Sequence, residues 1–353
     1  MARKKLKIAG KVAFAVVTAL AALLFAACSG SGKKENEVSK TNELVVAVPA
    51  DSGLIISPLI SEYEKEHSEA SVKLIKMSGS SEEIYRFCVS VLIDSKFNAD
   101  MLIIDDVWLD AFAKEGLVCE IDGVKDYDFI RAAENAMVFN GKVYGVPIYA
   151  DSMAEFKKYN SQSETTVCLQ ESASDALAFI RSQIGEGLSL DDAYDRYKSI
   201  SKCSNISEFV DSDAKTMKAW LSNLNVLQKY YPKAAVNMKI GLSDKALIKT
   251  KLAIINSKSK FKTQATDIIK YLLADKAQNE IMSNMPGVPV MSKHYSDLFI
   301  QDKIPYIKSI NGENFCTFPF SANFENDEKK AQEMIENGAS DVELKKALLY
   351  MEK

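Results

Sequence analysis

Three short apolar runs that alternate with amphipathic stretches restrict the fold of this chain more than any other sequence feature. The runs span residues 44–48, 72–76 and 101–104, and the first and third contain only apolar side chains. Continuous apolar runs of this length are typical of strands that are buried on both faces of a parallel sheet. The alternation therefore predicts an α/β protein built on a doubly wound sheet.

Helix-start signals follow the first two of these predicted strands. Ser57 and Pro58 stand in the order typical of a helix N-terminus, so the first helix is predicted to begin there. Ser80 and Glu83 form a capping-box pattern before a stretch whose apolar residues recur at helical spacing. We therefore expect one helix in each of the first two connections between strands.

Polar and aromatic side chains follow the predicted strands at their carboxyl ends, where open α/β sheets bind ligands. The candidates for ligand contact are Asp51, Ser80, Asp105, Asp106 and Trp108. Trp108 either stacks on a ligand or packs against the next helix, and Asp105 and Asp106 either reach a ligand or cap that helix. Asp51 and Ser80 equally suit turns and helix caps.

The middle of the chain is predicted to be mainly helical. Helices are expected at 190–199 and 213–231 and, after a return strand at 252–255, at 266–273 and 275–283. In the second of these helices Trp220 is expected to be a core residue, because Met217, Leu221 and Leu224 lie at helical spacing from it.

The amino end has the organisation of an export signal. Basic residues up to Lys11 precede an uncharged run at 12–27, which is short for a membrane span. The segment 25–28, Phe-Ala-Ala-Cys, resembles the lipobox of bacterial lipoproteins, in which the cysteine is acylated and becomes the first residue. We therefore expect a signal peptide at 1–27, lipidation of Cys28 and a flexible tether at 28–43. The alternative is a transmembrane anchor that is not cleaved.

Charge and cysteine content exclude several classes of function. The net charge of −4 becomes −9 once the basic residues of the leader are removed, and no basic cluster suited to nucleic acid is present. The cysteines that remain are irregularly spaced, so neither a disulfide framework nor a metal site is predicted; they are Cys88, Cys119, Cys168, Cys203 and Cys316.

An enzymatic function is not expected. The chain holds two histidines, His67 and His294, which are both expected at the surface, and it contains no GxSxG, HExxH or P-loop motif. Asp105 and Asp106 are adjacent on one loop, so they cannot flank a glycosidic bond from opposite sides as glycosidases require. An atypical hydrolase therefore remains only a disfavoured alternative.

Three further segments stand in order along the chain: NADMLIIDDVWLDAFAKEGLVCEID (98–122), FNGKVYGVPIYADS (139–152) and KLAIINSKSKFKTQATDIIKYLLADKAQNEIMSNMPGVPV (251–290). Together they resemble extracellular solute-binding proteins of family 1, the sugar-type components of ABC importers. The second segment is the most specific and is similar to the family's crossover from the first lobe to the second. The first is similar to a strand that runs into a ligand loop and a helix, and the third to the return into the first lobe.

The resemblance implies a two-lobed periplasmic-binding-protein-like fold in which each lobe is a doubly wound sheet flanked by helices. Lobe one would consist of 44–150 with 248–292, and lobe two of 151–247 with 293–353. The implied function is capture of a carbohydrate between the lobes, without cofactor or metal, for the membrane subunits of an ABC importer. The protein would be a monomer, held by lipid on the outer side of a bacterial membrane, at the cell surface or in the periplasm.

The resemblance also adds two site candidates. Asp151 aligns with an acidic residue that the family places at the crossover, facing the cleft, and Tyr149 beside it either lines the cleft or fills the hinge. Gly145 and Pro147 match the crossover motif and are expected to shape that hinge. Aromatic faces and polar side chains of this kind hold the CH surfaces and the hydroxyls of sugars.

One departure from the family leaves a second function open. The glycine-rich segment that ends in Gly-Pro-Trp is absent, because no tryptophan follows Trp220. Lobe two is therefore predicted to be shortened by several dozen residues. The alternative is a surface lipoprotein of the same fold that has lost its ligand and acts in protein interaction.

Overall fold

The computed structural model describes residues 43–308 with gaps at 51, 80, 95–97, 160–166, 171–175, 177–178, 181–182, 184–186 and 243–245, together with 312 and 315–317. The predicted signal peptide, Cys28 and nearly all of the tether lie outside the described residues, as do Asp51 and Ser80. Within the described ranges, no helix is both long and apolar enough to span a membrane.

The amino-terminal part forms the predicted parallel sheet. Strands β1 (Leu44–Pro49), β2 (Val72–Met77) and β3 (Met101–Asp105) pair in the order β2-β1-β3, with all three strands parallel. Helices α1 (Gly53–Glu66) and α2 (Ser81–Ile93) make the two connections. Strands β1 and β3 are almost wholly buried, as their apolar runs predict.

Helix α1 begins five residues earlier than predicted, at Gly53 rather than Pro58, so that Pro58 lies inside it. The carbonyl of Ser52 accepts hydrogen bonds from the amides of Ile55 and Ile56, at 3.0 and 2.9 Å, which close the first turn before Ser57. Pro58 has no amide to donate to the preceding turn. Burial of Ile56 in the core offsets that loss, so tertiary packing rather than the proline sets the start of the helix.

A short hairpin lies after β3 and its two following helices, α3 (Leu109–Lys114) and α4 (Arg131–Ala136). Strands β4 (Val138–Phe139) and β5 (Lys142–Val143) pair in antiparallel fashion around Asn140-Gly141. Both turn residues have positive φ, 49° and 76°. Asn-Gly suits this two-residue turn because both residues tolerate the left-handed region.

The long strand β6 (Gly145–Lys158) joins two parts of one hydrogen-bonded sheet. Its first part pairs with β11 (Leu247–Ile255), which runs antiparallel to both β6 and β3. Its last part pairs with β9 (Thr216–Trp220) and β10 (Met238–Gly241). The predicted crossover is therefore a single strand shared by both parts of the sheet.

The sheet beyond β6 contains further parallel strands and several short helices. Strand β7 (Val167–Gln170) runs parallel to both β9 and β8 (Ser201–Cys203). The helices of this part whose bounds are described include α5 (Leu190–Ser199), α6 (Ile206–Asp211), α7 (Asn223–Tyr230) and α8 (Pro232–Ala235). Ser189 and Asn205 cap α5 and α6 by accepting hydrogen bonds from the amides of Asp192 and Glu208.

The predicted helix at 213–231 is wrong over its first half. Residues 216–220 form strand β9, and the helix begins only at Asn223. The neighbouring strands β6 and β7 supply hydrogen bonds on the two sides of β9, so pairing with distant residues overrides the local helical spacing.

The remaining helices pack on the amino-terminal sheet. Helix α10 (Asp275–Asn284) agrees with its prediction, and α9 (Lys262–Leu273) begins four residues before the predicted start at 266. The apolar face of α9 is buried at Ile268, Ile269 and Leu272. Helix α11 (Leu298–Lys303) contacts α10, and the short strand β12 (Cys316–Thr317) pairs with β11. Residues 293–308 thus lie beside α10, whereas 316–317 lie beside β11. His294, which the sequence places at the surface, is 2% exposed in this segment, because the segment packs on the fold.

Candidate functional site

A cavity of about 660 Å³ lies where the two parts of the sheet meet at β6 and β11. This volume lies within the range typical of small-molecule sites. Its described walls come from the central strands, from the segment around α7, and from the first turn of α1 together with the end of α10.

The central strands present alternating polar side chains to the cavity. Tyr149 and Asp151 lie two residues apart on β6, and Lys249 and Lys251 lie two residues apart on β11. Since side chains alternate along a strand, each pair points to the same face. In the antiparallel register Lys249 lies opposite Asp151, and Lys251 lies opposite Tyr149. Lys251 also pairs with β3, where its ammonium forms an ion pair with Asp105.

The carboxylate of Asp151 is held by backbone amides. Its Oδ1 accepts hydrogen bonds from the amide of Ser152, at 2.7 Å, and from the amide of Ser222, at 3.3 Å. Removal of the group from water raises the pKa of Asp151 to about 6, against the opposing effects of Ser222, Ser152 and Lys249. This bond to Ser222 joins β6 to the segment before α7.

Trp220 supplies an aromatic wall at the end of β9. Its side chain is buried except at the cavity, and the ammonium nitrogen of Lys249 lies 4.5 Å from the centre of a ring. An ammonium over an aromatic face is a favourable cation–π arrangement. Helix α7 then adds amides and a further cation to the wall: Asn225, Gln228 and Lys229.

The opposite wall is mostly apolar. Leu54 and Ile55 come from the first turn of α1, and Met285 and Pro286 follow α10. Gly287 keeps this last segment close to β6, since a Cβ on Gly287 would lie 2.5 Å from the carbonyl oxygen of Ala150. The same carbonyl accepts a 2.9 Å hydrogen bond from the amide of Val288.

Tyr149 links this wall to the strands. Its hydroxyl forms a hydrogen bond with the hydroxyl of Ser52, which is buried immediately before α1. The aromatic ring lines the cavity on one side of that bond. The position of the first turn of α1 is therefore coupled to the cavity face of β6.

Three of the predicted ligand residues meet at the cavity: Tyr149, Asp151 and Asp105. Trp108 does not, which corrects the expectation that it faces the ligand. It is 3% exposed, lies in the core beneath α2, and packs edge-on against Tyr85 with ring centres 5.7 Å apart. The short helical turn Asp106–Trp108 directs this side chain into the core, which is the packing alternative considered for it.

Asp106 also lies away from the cavity. It is fully buried, and its Oδ2 accepts a 2.8 Å hydrogen bond from the amide of Thr250 on β11. Burial raises the pKa of Asp106 to about 7, with the bond from Thr250 acting in the opposite direction. Asp106 therefore braces β3 against β11, rather than reaching a ligand.

Trp220, Lys249 and Lys251 are among the cavity residues that the sequence did not predict. Two signals point to them: Trp220 is one of only two tryptophans, and the lysines alternate with Ile248, Thr250 and Leu252 inside an otherwise apolar strand. Such alternation marks a strand with one polar face. Among the described residues, no cluster of His, Cys, Asp or Glu suits a metal ion.

Comparison with solved structures shows that the chain has the two-lobed periplasmic-binding-protein-like fold. The maltose-maltodextrin binding protein of Alicyclobacillus acidocaldarius is similar with a TM-score of 0.71 at 14% identity, over 88% of this chain and 100% of that chain. The maltose-bound MalE3 of T. maritima gives a TM-score of 0.70 at 14% identity, over 87% and 97% of the two chains.

A third similar structure holds a different ligand. The ABC transporter solute-binding protein of Agrobacterium vitis with bound D-mannitol gives a TM-score of 0.66 at 14% identity, over 88% of this chain and 97% of that chain. Neither a protein-family model nor a curated protein matches the sequence.

Proposed function

We propose that this protein binds a carbohydrate in the cavity between its lobes and delivers it to the membrane subunits of an ABC importer. The observation that carries the proposal is the combination of Trp220 and Tyr149 with Asp105, Asp151 and Lys249 around one cavity. Aromatic faces suit the CH surfaces of a sugar, and carboxylates and ammoniums suit its hydroxyls. Two of the similar structures hold maltose and D-mannitol, and these ligands support the same class.

The proposed mechanism is closure around the ligand. The cavity takes side chains from both sides of β6, so a bound ligand contacts both lobes and favours the conformation in which they are closed. The importer would then recognise this closed surface. Such a role requires binding and release, so no catalytic group is invoked and the protein is not an enzyme.

The lobe boundaries and the cellular location belong to the same proposal. We assign 44–150 and 248–292 to lobe one and 151–247 to lobe two. We also assign 293–308 to lobe one, in place of the predicted lobe two, because this segment packs beside α10. The protein is proposed to be a lipoprotein monomer, anchored through Cys28 on the outer side of a bacterial membrane after removal of residues 1–27.

A ligand screen tests the proposal. The full-length protein in detergent is titrated with monosaccharides, oligosaccharides and polyols while its melting temperature is followed. A ligand at about 100 times its Kd adds roughly 2.7 kcal/mol to the free energy of unfolding, which gives a clear rise in Tm. The control is Tyr159→Ala, an exposed aromatic outside the cavity, which is expected to leave the rise unchanged. If no carbohydrate raises Tm, the proposal fails and the surface lipoprotein takes its place.

A further inference from the structure

Strand β10 and the end of β6 bring two lysines together at a place away from the cavity. Lys239 lies directly opposite Lys157 in the antiparallel register, and both side chains are exposed. Like charges in directly opposite positions destabilise a pair of strands, so folding alone does not explain this pair. Asp151, a cavity residue of β6, lies six residues before Lys157, which corresponds to about 20 Å along a strand.

Exposed apolar and aromatic side chains adjoin the two lysines. Tyr159, immediately after β6, is 63% exposed. Its amide donates a 3.0 Å hydrogen bond to the carbonyl of Asn237, which follows Val236, a side chain that is 77% exposed. The side-chain amide of Asn237 donates to the carbonyl of Lys233 at 2.8 Å. These contacts unite one surface, the basic tip, whose residues are Lys157, Tyr159, Lys233, Val236 and Lys239.

The charges of the basic tip are not balanced locally. Residues 214–243 contain five lysines and no aspartate or glutamate, although the whole chain carries a net charge of −4. Among the described residues, no ion pair involves Lys157, Lys233 or Lys239. The exposed carboxylate on the same face of β6, Glu155, is paired with Lys218 at 3.5 Å. The basic tip is therefore a positive surface on a negatively charged protein.

Other carboxylates near this end of β6 lie on its opposite face. The ammonium of Lys158 donates to the carbonyls of Phe209 and Ser212, each at 2.6 Å, and Asp211 and Asp213 lie close to it. Since side chains alternate along a strand, Lys158 points away from the face that carries its neighbour in the basic tip. These carboxylates therefore serve Lys158 rather than the exposed face.

The composition of the basic tip favours one kind of partner. Protein interfaces are depleted in lysine and enriched in arginine, whereas the basic tip contains lysine and no arginine. Lysines are attracted to anionic lipid headgroups, and tyrosine is enriched at the level of those headgroups. The predicted lipid anchor, or an uncleaved leader in its place, would hold the chain on a bilayer. An anionic membrane surface therefore matches both the charge and the side chains.

From this arrangement we infer that the basic tip binds the anionic headgroups of the membrane that carries the protein. The lysine ammoniums contact lipid phosphates, while Tyr159 and Val236 lie against the interface. The contact goes beyond the proposed function and does not require a carbohydrate. It restricts the orientations that a flexible tether alone would leave open.

Lysine footprinting in vesicles tests this contact on the full-length protein. The protein is inserted into vesicles of phosphatidylcholine, with or without phosphatidylglycerol, and acetylation of its lysines is quantified by mass spectrometry. In the anionic vesicles, acetylation of Lys157, Lys233 and Lys239 is expected to fall about threefold or more, and high salt should restore it. The exposed Lys114 and Lys125 are internal controls and should react equally in both. Equal reactivity of the tip lysines in both kinds of vesicle would overturn the inference.

Two double variants separate the basic tip from the rest of the surface. Lys157→Gln with Lys239→Gln should abolish the protection of Lys233, and should leave Tm unchanged or higher because it removes the like-charge pair. Lys114→Gln with Lys125→Gln has the same net charge and should retain the protection. Loss of protection in both double variants would indicate attraction by overall charge and would contradict a specific tip.

The outcomes also distinguish lipid from protein as the partner. If the tip lysines react freely on anionic vesicles but are protected in native membranes, the partner is a protein and the inference is wrong. Sugars do not enter the footprinting, so a failure to bind carbohydrate would overturn the proposed function and leave this inference standing.

Discussion

Lys249 lies directly opposite Asp151 in the antiparallel pairing of β11 with β6, and both side chains line the same cavity. The two residues are almost one hundred positions apart in the chain, yet the strand register makes them neighbours. Because β6 and β11 both run through the junction of the two sheet parts, this pair lies at the junction itself. A change in the register of these strands would alter the cavity and the connection together.

Trp220, rather than Trp108, is predicted to report ligand binding. Trp220→Ala removes the aromatic wall and should weaken binding about tenfold, since burial of an aromatic face on a ligand is worth roughly 1–3 kcal/mol. Ligand should also shift the tryptophan emission of the wild type and of Trp108→Phe. The shift should disappear in Trp220→Phe, because Trp108 is buried away from the cavity. An emission shift that persists in Trp220→Phe would contradict this placement.

Asp106 is predicted to make stability depend on pH. Its folded pKa of about 7 is above the unfolded value, so the native state binds the extra proton between these two values. The free energy of unfolding therefore falls as pH rises from about 4 to 7 and then levels off. Asp106→Asn keeps an acceptor for the amide of Thr250 but cannot ionise. Its loss of stability over this pH range should therefore be smaller than that of the wild type by roughly 1 kcal/mol or more.

Urea denaturation of both proteins at pH 5 and pH 8 measures the Asp106 effect. The exposed Asp302→Asn serves as the control and should follow the wild type. If Asp106→Asn loses as much stability as the wild type between these two pH values, the assigned role of the buried carboxyl is wrong.

Gly287 is predicted to be required for the position of the segment after α10, which forms one wall of the cavity. A Cβ at this position would lie 2.5 Å from the carbonyl oxygen of Ala150, so Gly287→Ala must displace the segment or the strand. We expect a loss of roughly 1–3 kcal/mol in stability and weaker ligand binding, because Met285 and Pro286 line the cavity. Gly241→Ala is the matched control, since a Cβ there meets nothing within 4 Å. Stability is measured by thermal denaturation, and equal losses of stability in both variants would refute the prediction.

Cys28 is predicted to carry the lipid. Cells that express the wild-type chain and are fed labelled palmitate should incorporate the label into the protein, and Cys28→Ala should abolish it. Cys119→Ala, at a partly buried cysteine of the described fold, should incorporate label like the wild type. Label that persists in Cys28→Ala would exclude this residue as the site of acylation.

The sequence by itself determined the elements whose signal is local. The apolar runs of β1 and β3 predict strands buried on both faces, and the spacing of Ile268, Ile269 and Leu272 predicts the buried face of α9. The spacing and the length of the apolar runs suffice to predict these elements, because each element buries its own apolar residues. The shared strand β6 was also anticipated, through the resemblance of the crossover segment.

Only the tertiary structure decided which side chains meet at the cavity. Trp220 has helical spacing to its neighbours but pairs with Met153 as part of a strand, and Trp108 follows a strand end but turns into the core against Tyr85. Lys249 reaches Asp151 through a register that no local pattern specifies. The physical reason is that strand pairing and core packing join residues far apart in the chain, and their free energies exceed the weak local preferences of either tryptophan segment.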